Sequence, residues 1–526
     1  MRSVRVLRNV VTNYLRFFVG GLLGMVITPI MVHALGDGDY GLWIAVFSLT
    51  GYFGLIDQGI RPSLVRFVSR DHALGDQEGL RRTLNSALAL FGVAGLLTIG
   101  VTFVLAGNFE HWFAVEPGHR HLVRDVVLLA GLSVAAGFPL GVFGAVLSGL
   151  QRYDLGNAVG IGVAVLRAIA FVVVLRMGGG LLELAWASLL MTLLGHVLTL
   201  FVVLRLLPGM RFGPRWVNAD SLRAIGSYGG FAFIGALASS LTFQTDALVI
   251  TALITASAVT PFALAAGLVE TVRSLVYSAT FVLSPTASEL ETRGETGKLH
   301  AMLLAGAKYS VLLSWPVLFG LMVFGENFLV TWVGPHFATT SPWRQVLTIG
   351  GPQASGSQVL TILCVPTLLS LPQSTASALL FGVSRHKGVV TISLASALLN
   401  LVLSLLWARP LGLAGVALGT AVPLALLGGG ATVIYACRAL GLPLATYAWL
   451  GLGKAGLASL AFLFPAMLVQ KWWNPVGWLP LGVACAGCWL VFALFAWWWV
   501  VGPDERGRWG RMFSGLLGRT PAAEGA

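Results

Sequence analysis

From about Asn13 to Val501 the chain alternates long apolar runs with short polar breaks. A run of about 18 or more apolar residues is long enough to cross the ~30 Å hydrocarbon core as a helix. Such runs predict an all-α polytopic membrane protein of about fourteen transmembrane helices, since each run meets that length. Their centres lie near Leu22, Phe47, Ala94, Ala136, Ala168, Met191, Ala238, Val269, Leu313, Thr367, Leu399, Ala425, Ala461 and Val491. The tenth run, Val346 to Phe381, is too long for one straight helix and holds Pro352, Pro366 and Pro372. A broken or tilted span is expected there, with a re-entrant segment as the alternative.

The breaks divide the chain into an N-terminal six-helix lobe (1–206), a linker (207–227), a second six-helix lobe (228–440), an extra helix pair (441–502) and a basic tail (503–526). The linker holds Pro208, Pro214, Arg211, Arg215 and Asp220, and Leu222 to Tyr228 at its end reads as an amphipathic helix on the inner face. A shift of 219 residues lays "ALGDGDYGLWIAVFSL" over "LITASAVTPFALAAGL", with Trp43 matching Phe262. Two lobes that both begin inside are parallel repeats, and transporters built this way hold substrate between the halves. Gly137, Gly141, Gly144, Gly156, Gly160, Gly415 and Gly419 form small-residue patches that let helices approach closely. Pro29 is a candidate bend point in the first helix.

Composition supports this reading: 56% of residues are hydrophobic, 10% are charged, and the mean hydropathy is +0.84, whereas a soluble domain carries about 25% charge. With the N-terminus inside, the predicted inside loops and tail hold 22 Lys and Arg against 6 outside. That bias places both termini in the cytoplasm. It also accounts for the net charge of +12 without nucleic acid, through the anionic inner leaflet. No G-x-x-x-x-G-K-[ST] loop is present, so no nucleotide motor is legible. No His/Asp/Glu constellation suggests an enzyme, and no cofactor or metal is called for. Cys485 and Cys488 lie in an apolar helix and read as packing. His111, His119 and His121 share one outside loop, and His196 reads as a core histidine.

Charges within the spans carry what chemistry the sequence offers, because an ionisable residue in the bilayer faces a cavity or a partner. Arg16 lies early in the first span near Asn13, and Asp57 sits at the inner end of the second, before Arg61 and Arg66. Arg167 lies in the middle of the fifth span and reads as paired within the bundle, while Lys308 and Lys454 read as snorkelling. Glu270 and Arg273 share one face of the eighth span; they either neutralise each other or line a cavity. Arginine binds phosphate bidentately. Arg16, Arg61, Glu270 and Arg273 are therefore the candidate substrate-binding residues, and Asn13, Asp57 and Arg66 the candidate gate. Asp246, beside Gln244 and Thr245, and Glu270 are candidates for coupling to protons or sodium.

The stretches "NYLRFFVGGLLGMVITPIMVHALGDGDYGLW", "YFGLIDQGIRPSLVRFVS", "ENFLVTWVGPHF" and "SALLFGVSRHK" resemble the bacterial polysaccharide repeat-unit flippases (Wzx type) of the multidrug/oligosaccharidyl-lipid/polysaccharide exporter superfamily. The resemblance runs to about Leu440 and implies a bacterial inner-membrane protein with a cationic cavity between two lobes. It implies as substrate an undecaprenyl-pyrophosphate-linked oligosaccharide, flipped for surface polysaccharide such as O-antigen or exopolysaccharide. It also implies membrane lipids, a polymerase and a chain-length regulator as partners. In the related peptidoglycan-precursor flippases, arginines of the first, second and eighth helices line the cavity. Arg16 and Arg273 match in placement, whereas Asp57 stands where a base is expected and Arg61 lies lower. The alternatives are a cation-coupled multidrug exporter, which Arg16 in place of a first-helix acid disfavours, a peptidoglycan-precursor flippase, and an integral-membrane glycosyltransferase or ligase.

Overall fold

A computed structural model describes residues 2–113, 119–227, 230–335, 356–502 and 505–507. The start of the tenth expected span with Pro352, Arg344 in the loop before it, Tyr228 at the end of the linker, and the tail beyond residue 507 lie outside these residues. The described residues are helical and contain no strand. Among the described residues eleven helices are long and apolar enough to cross a bilayer, or twelve if Gly356–Ser370 and Gln373–Gly382, bent by 45°, form one span. The chain bends beside Pro372, which fits a broken tenth span and a re-entrant segment alike.

Fourteen is not reached by that count, and the difference lies in two helices. Val11–Gly51 has 41 residues and His386–Leu440 has 55. At 1.5 Å per residue these are about 60 and 80 Å long, at least twice the hydrocarbon thickness. Each is divided by a glycine in the left-handed region, Gly36 (φ 75°) and Gly412 (φ 58°). A residue bearing a Cβ resists that conformation, so these glycines mark where the helices turn, while Pro29 lies inside the helix ahead of Gly36.

The chain forms two compact units. Among the described residues the first comprises 2–113, 119–227, 230–264 and 393–420. Its helices are α1 (Arg2–Gly51), α2 (Gly54–Ala73), α3 (Gln77–Trp112), α4 (Arg120–Gly149), α5 (Tyr153–Arg176), α6 (Leu181–Leu206), α7 (Ala219–Ser227), α8 (Gly230–Phe243) and α9 (Thr245–Leu253). Leu64, Leu84, Phe91, Val146, Leu147 and Ile225 build a core that ties α2, α3, α4 and α7 together. Leu96 and Phe103 on α3, and Leu190 and Phe201 on α6, stay exposed. Apolar faces of that extent need lipid around them.

The linker of the first unit is held by side chains of α2 and α3. Asn85 donates from Nδ2 to the Arg211 carbonyl (3.1 Å) and accepts from the Gly213 amide (2.9 Å). Ser86 Oγ accepts from the Asn218 amide (3.0 Å), and Ser63 donates to the Ile225 carbonyl (2.9 Å). These bonds satisfy backbone groups that the non-helical stretch leaves open. The two repeat-matched turns also meet within this unit. Thr260 donates to the Asp37 carbonyl at 2.7 Å, and a Cβ on Gly41 would sit 1.9 Å from the Ala256 oxygen. In the hairpin around Gly412, a Cβ on Gly415 would lie 2.0 Å from the Trp407 oxygen and one on Gly419 2.6 Å from the Ser404 backbone nitrogen. Here glycine serves close backbone approach.

Among the described residues the second unit comprises 265–335, 356–392, 421–502 and 505–507. Phe319, Phe324, Phe462, Ala466 and Cys488 pack Thr296–Trp332 against Lys454–Trp472 and Trp478–Trp499. Trp315 Nε1 donates to the Leu368 carbonyl at 2.8 Å. Asn327 donates to Asn474 Oδ1 (2.9 Å) and the Pro475 carbonyl (2.7 Å), and accepts from Gln470 Nε2 (2.8 Å). Lys308 does not snorkel: its Nζ lies 2.6 and 2.8 Å from the two carboxylate oxygens of Glu505, just past the last long helix.

Candidate functional site

A cavity of about 510 Å³ lies within the first unit, lined by α1, α2, α4, α5 and α6. That volume is in the usual range for a small-molecule site. Arg16, Arg61, Arg152, Arg167 and His196 line it, with Asn157, Thr192 and Thr199, and among the described residues no carboxylate does. The wall is therefore cationic with neutral hydrogen-bonding groups between the cations.

Glycines make room for these cations. A Cβ on Gly160 of α5 would lie 3.1 to 3.3 Å from Cζ, Nε and NH1 of Arg16. On α4, a Cβ on Gly141 would lie 3.2 Å from Arg61 NH2, one on Gly144 3.5 Å from Arg61 NH1, and one on Gly137 3.5 Å from His196 Nε2. Positions 137, 141 and 144 follow the i, i+4, i+7 spacing of one helix face. These patches seat polar heads, unlike Gly415 and Gly419, which seat backbone.

Counter-charges divide the arginines. Arg61 binds Asp57 through Nε and NH2, both at 2.7 Å. Arg152 reaches Asp154 at 3.1 Å, and Arg8 reaches the same carboxylate at 2.9 Å. Arg16 donates only to a neutral amide, Asn157 Oδ1 at 3.4 Å. Asn157 is oriented by its own donation to Asn13 Oδ1 (2.6 Å) and Thr12 Oγ1 (3.2 Å). Arg167 donates through NH2 to Thr192 Oγ1 at 3.0 Å, while its Nε is buried without a partner. Among the described residues neither Arg16 nor Arg167 has a carboxylate partner. An arginine at the centre of a membrane helix costs roughly 2.5–3.5 kcal/mol on insertion scales, and a cavity that admits water or an anion offsets that cost.

The expected site residues separate in this geometry. Arg16 and Arg61 come together in one cavity, with Asp57 bound to Arg61 and Asn13 bound to the Asn157 that meets Arg16. Arg66 is exposed on α2 and does not line it. Glu270 and Arg273 lie in the second unit on Val259–Phe281. There Arg273 NH1 is 3.4 Å from Glu270 Oε2, and its guanidinium stands 5.8 Å from the centre of the Tyr277 ring. Arg152, Arg167, Asn157 and His196 were not among the expected binding residues. Arg152 reads from sequence as a loop charge and His196 as core. The available signal was the α4 glycine run, which continues beneath both Arg61 and His196.

Asp246 belongs to a separate polar cluster of the first unit. It is 4% exposed, and its Oδ2 accepts from Thr420 Oγ1 at 2.7 Å. Thr420 in turn accepts from Asn400 Nδ2 at 2.8 Å. Asp246 Oδ1 and Asn400 Oδ1 are both buried without a donor. Tyr52 hydrogen-bonds the neighbouring Thr245 and donates to the Ser240 carbonyl at 3.3 Å. A buried cluster with acceptors to spare is satisfied by a proton or a cation.

Residues 6–291, more than half of the chain, match the family model described as polysaccharide biosynthesis protein. The chain belongs to this family. Another relative, the uncharacterized membrane protein EpsK of Bacillus subtilis (strain 168), is 22% identical over 442 residues, covering 82% of this chain and 83% of its own. The lipid II flippase MurJ in an inward closed conformation superposes with a TM-score of 0.69 at 14% identity, over 97% of this chain and 99% of that one. An inward-facing multidrug resistance MATE family transporter of the MOP superfamily superposes with a TM-score of 0.65, also at 14% identity, over 81% and 94%. The family member described here thus has the multi-pass helical fold shared by flippases and transporters.

Proposed function

We propose that this protein flips undecaprenyl-pyrophosphate-linked oligosaccharide repeat units from the inner to the outer leaflet of a bacterial inner membrane for surface polysaccharide assembly. The cationic cavity of the first unit carries this reading. A hydrophilic anion on a lipid tail needs a polar path for its head and a lipid-facing flank for its chain. Arg16 and Arg61, seated on Gly160 and Gly141, supply the path, and their forks suit phosphate oxygens. The apolar outer faces of the helices leave the tail in lipid. A cation-exporting multidrug reading fits this wall poorly, because cations repel cations. The positive-inside bias supports cytoplasmic termini, and a polymerase and chain-length regulator are the partners this reading calls for.

Energetics agree with export. Moving one negative charge out of an inside-negative cell is favourable by about 2.3 kcal/mol per 100 mV. Return of the empty carrier is assigned to a proton or sodium ion at Asp246, whose spare acceptors suit either. Within the second unit, the Arg273–Glu270 pair is also assigned to substrate binding by this reading.

The test is a flipping assay in proteoliposomes, with a labelled lipid-linked oligosaccharide read by its accessibility to a membrane-impermeant reagent. Arg16→Ala, Arg61→Ala and Arg273→Ala are expected to lower flipping at least tenfold at equal reconstitution. Arg273→Lys, which keeps the charge and loses the fork, falls between. Undiminished flipping by Arg16→Ala and Arg61→Ala together would remove the cavity from the path.

A further inference from the structure

Two of the four cavity arginines lack a carboxylate partner among the described residues, and they lie on one side of the cavity. The Arg16 guanidinium rests on Gly160 of α5, and Arg167 stands seven residues further along the same helix. Seven residues are two turns, so both positions share a face, about 10 Å apart along the axis. Helical side chains lean back toward the N-terminus of their helix, which carries the Arg167 head toward the level of Gly160. Its NH2 is fixed by Thr192 at 3.0 Å, and its buried Nε has no partner. The cavity therefore presents two guanidiniums whose charge the protein leaves unanswered.

We propose that Arg167 is a specificity residue that reads the second phosphate of a diphosphate-linked lipid, while Arg16 reads the first. A sugar joined to a prenyl chain through a diphosphate carries two negative charges, and one joined through a single phosphate carries one. Two uncompensated guanidiniums match the former. Arg61 and Arg152 contribute less to this choice, because Asp57 and Asp154 already answer their charge. Thr192 is a positioning residue that acts through Arg167. The inference rests on the flippase reading and narrows it to one chemical distinction.

The test uses the full chain in nanodiscs and two synthetic probes that differ by one phosphate, glucosyl diphosphofarnesol and glucosyl phosphofarnesol. Dissociation constants are measured for both, with the melting temperature of each ligand-free variant as the fold control. The parent is expected to prefer the diphosphate at least tenfold. Arg167→Gln is expected to weaken the diphosphate about tenfold, or 1.4 kcal/mol, and to leave the monophosphate within twofold. Arg16→Gln weakens both probes. Thr192→Ala, which frees the guanidinium without removing its charge, weakens only the diphosphate, by about threefold, and keeps the proposal testable should Arg167→Gln fail to fold. A parent that binds neither probe would overturn the flippase reading together with this one. A parent that prefers the diphosphate, with an Arg167→Gln variant that prefers it equally, overturns only the role of Arg167. Equal weakening of both probes by Arg167→Gln overturns it as well.

Discussion

Gly160→Ala separates stability from transport by giving them opposite signs. Glycine within a helix costs about 0.8–1.0 kcal/mol relative to alanine, so the substitution favours α5 by up to that amount. The added methyl, however, lies 3.1, 3.2 and 3.3 Å from Cζ, Nε and NH1 of Arg16. Comfortable contact with carbon begins near 3.5–4.0 Å, so the guanidinium retreats by about half an ångström. Its bond to Asn157 Oδ1 is already 3.4 Å long and does not survive that retreat. At that length the bond adds little to stability, so the melting temperature is expected to hold or rise, whereas a displaced guanidinium loses its charge-assisted contact with a phosphate, about 1.5–3 kcal/mol, and flipping is expected to slow at least tenfold. Gly162→Ala is the control. It lies on the same helix with nothing within 4 Å of the added carbon, so it gains the same helix propensity and leaves flipping unchanged. Both variants are compared in detergent melts and in the proteoliposome assay. A Gly160→Ala protein that flips like the parent would show that the Arg16 seat does not matter, and equal losses in both variants would trace the effect to helix stiffness.

Gly41→Ala is expected to destabilise the protein by about 1–3 kcal/mol, because the new carbon meets the Ala256 backbone 1.9 Å away, which has no rotamer to yield; a melting temperature equal to the parent's contradicts this contact. Asp246→Asn removes the charge from the acceptor cluster with Thr420 and Asn400, so flipping should no longer respond to an imposed sodium or proton gradient while protein level is maintained; a response like the parent's would leave Asp246 without a coupling role.

Much of the fold is legible in the sequence because lipid imposes a simple rule: each crossing must be apolar and about the same length. The rule places the helices around Ala94, Ala168 and Met191, which the structure has as α3, α5 and α6. It predicts the break at the tenth span from Pro366 and Pro372. Hydropathy does not reveal how a long helix turns. Gly36 and Gly412 look like many other glycines in the chain, and only a positive φ in the middle of a long helix sets them apart. The linker was legible as polar, but its anchors were not, since Asn85 and Ser86 are ordinary residues of α3 until Arg211, Gly213 and Asn218 lie against them.

The site was half legible, for a reason that bears on reading any membrane carrier. Counting charges within spans finds Arg16 and Arg61 but weights every arginine alike. The structure weights them by partner: Arg61 is answered by Asp57, Arg152 by Asp154 and Arg273 by Glu270, whereas Arg16 and Arg167 are answered only by neutral oxygens. A partner at i+4 or i+3 is visible in sequence, as Asp57/Arg61 and Glu270/Arg273 were. The lack of one is visible too, since neither Arg16 nor Arg167 has an acid within four residues on its helix. What sequence cannot supply is whether another helix brings an acid across. The glycines come closest to supplying it: a residue without a side chain, placed opposite a cavity-lining arginine, leaves the space that a neutralising carboxylate would otherwise fill. Gly160 opposite Arg16 is that arrangement, and it is why the Gly160→Ala experiment probes the reading more directly than removal of the arginine itself.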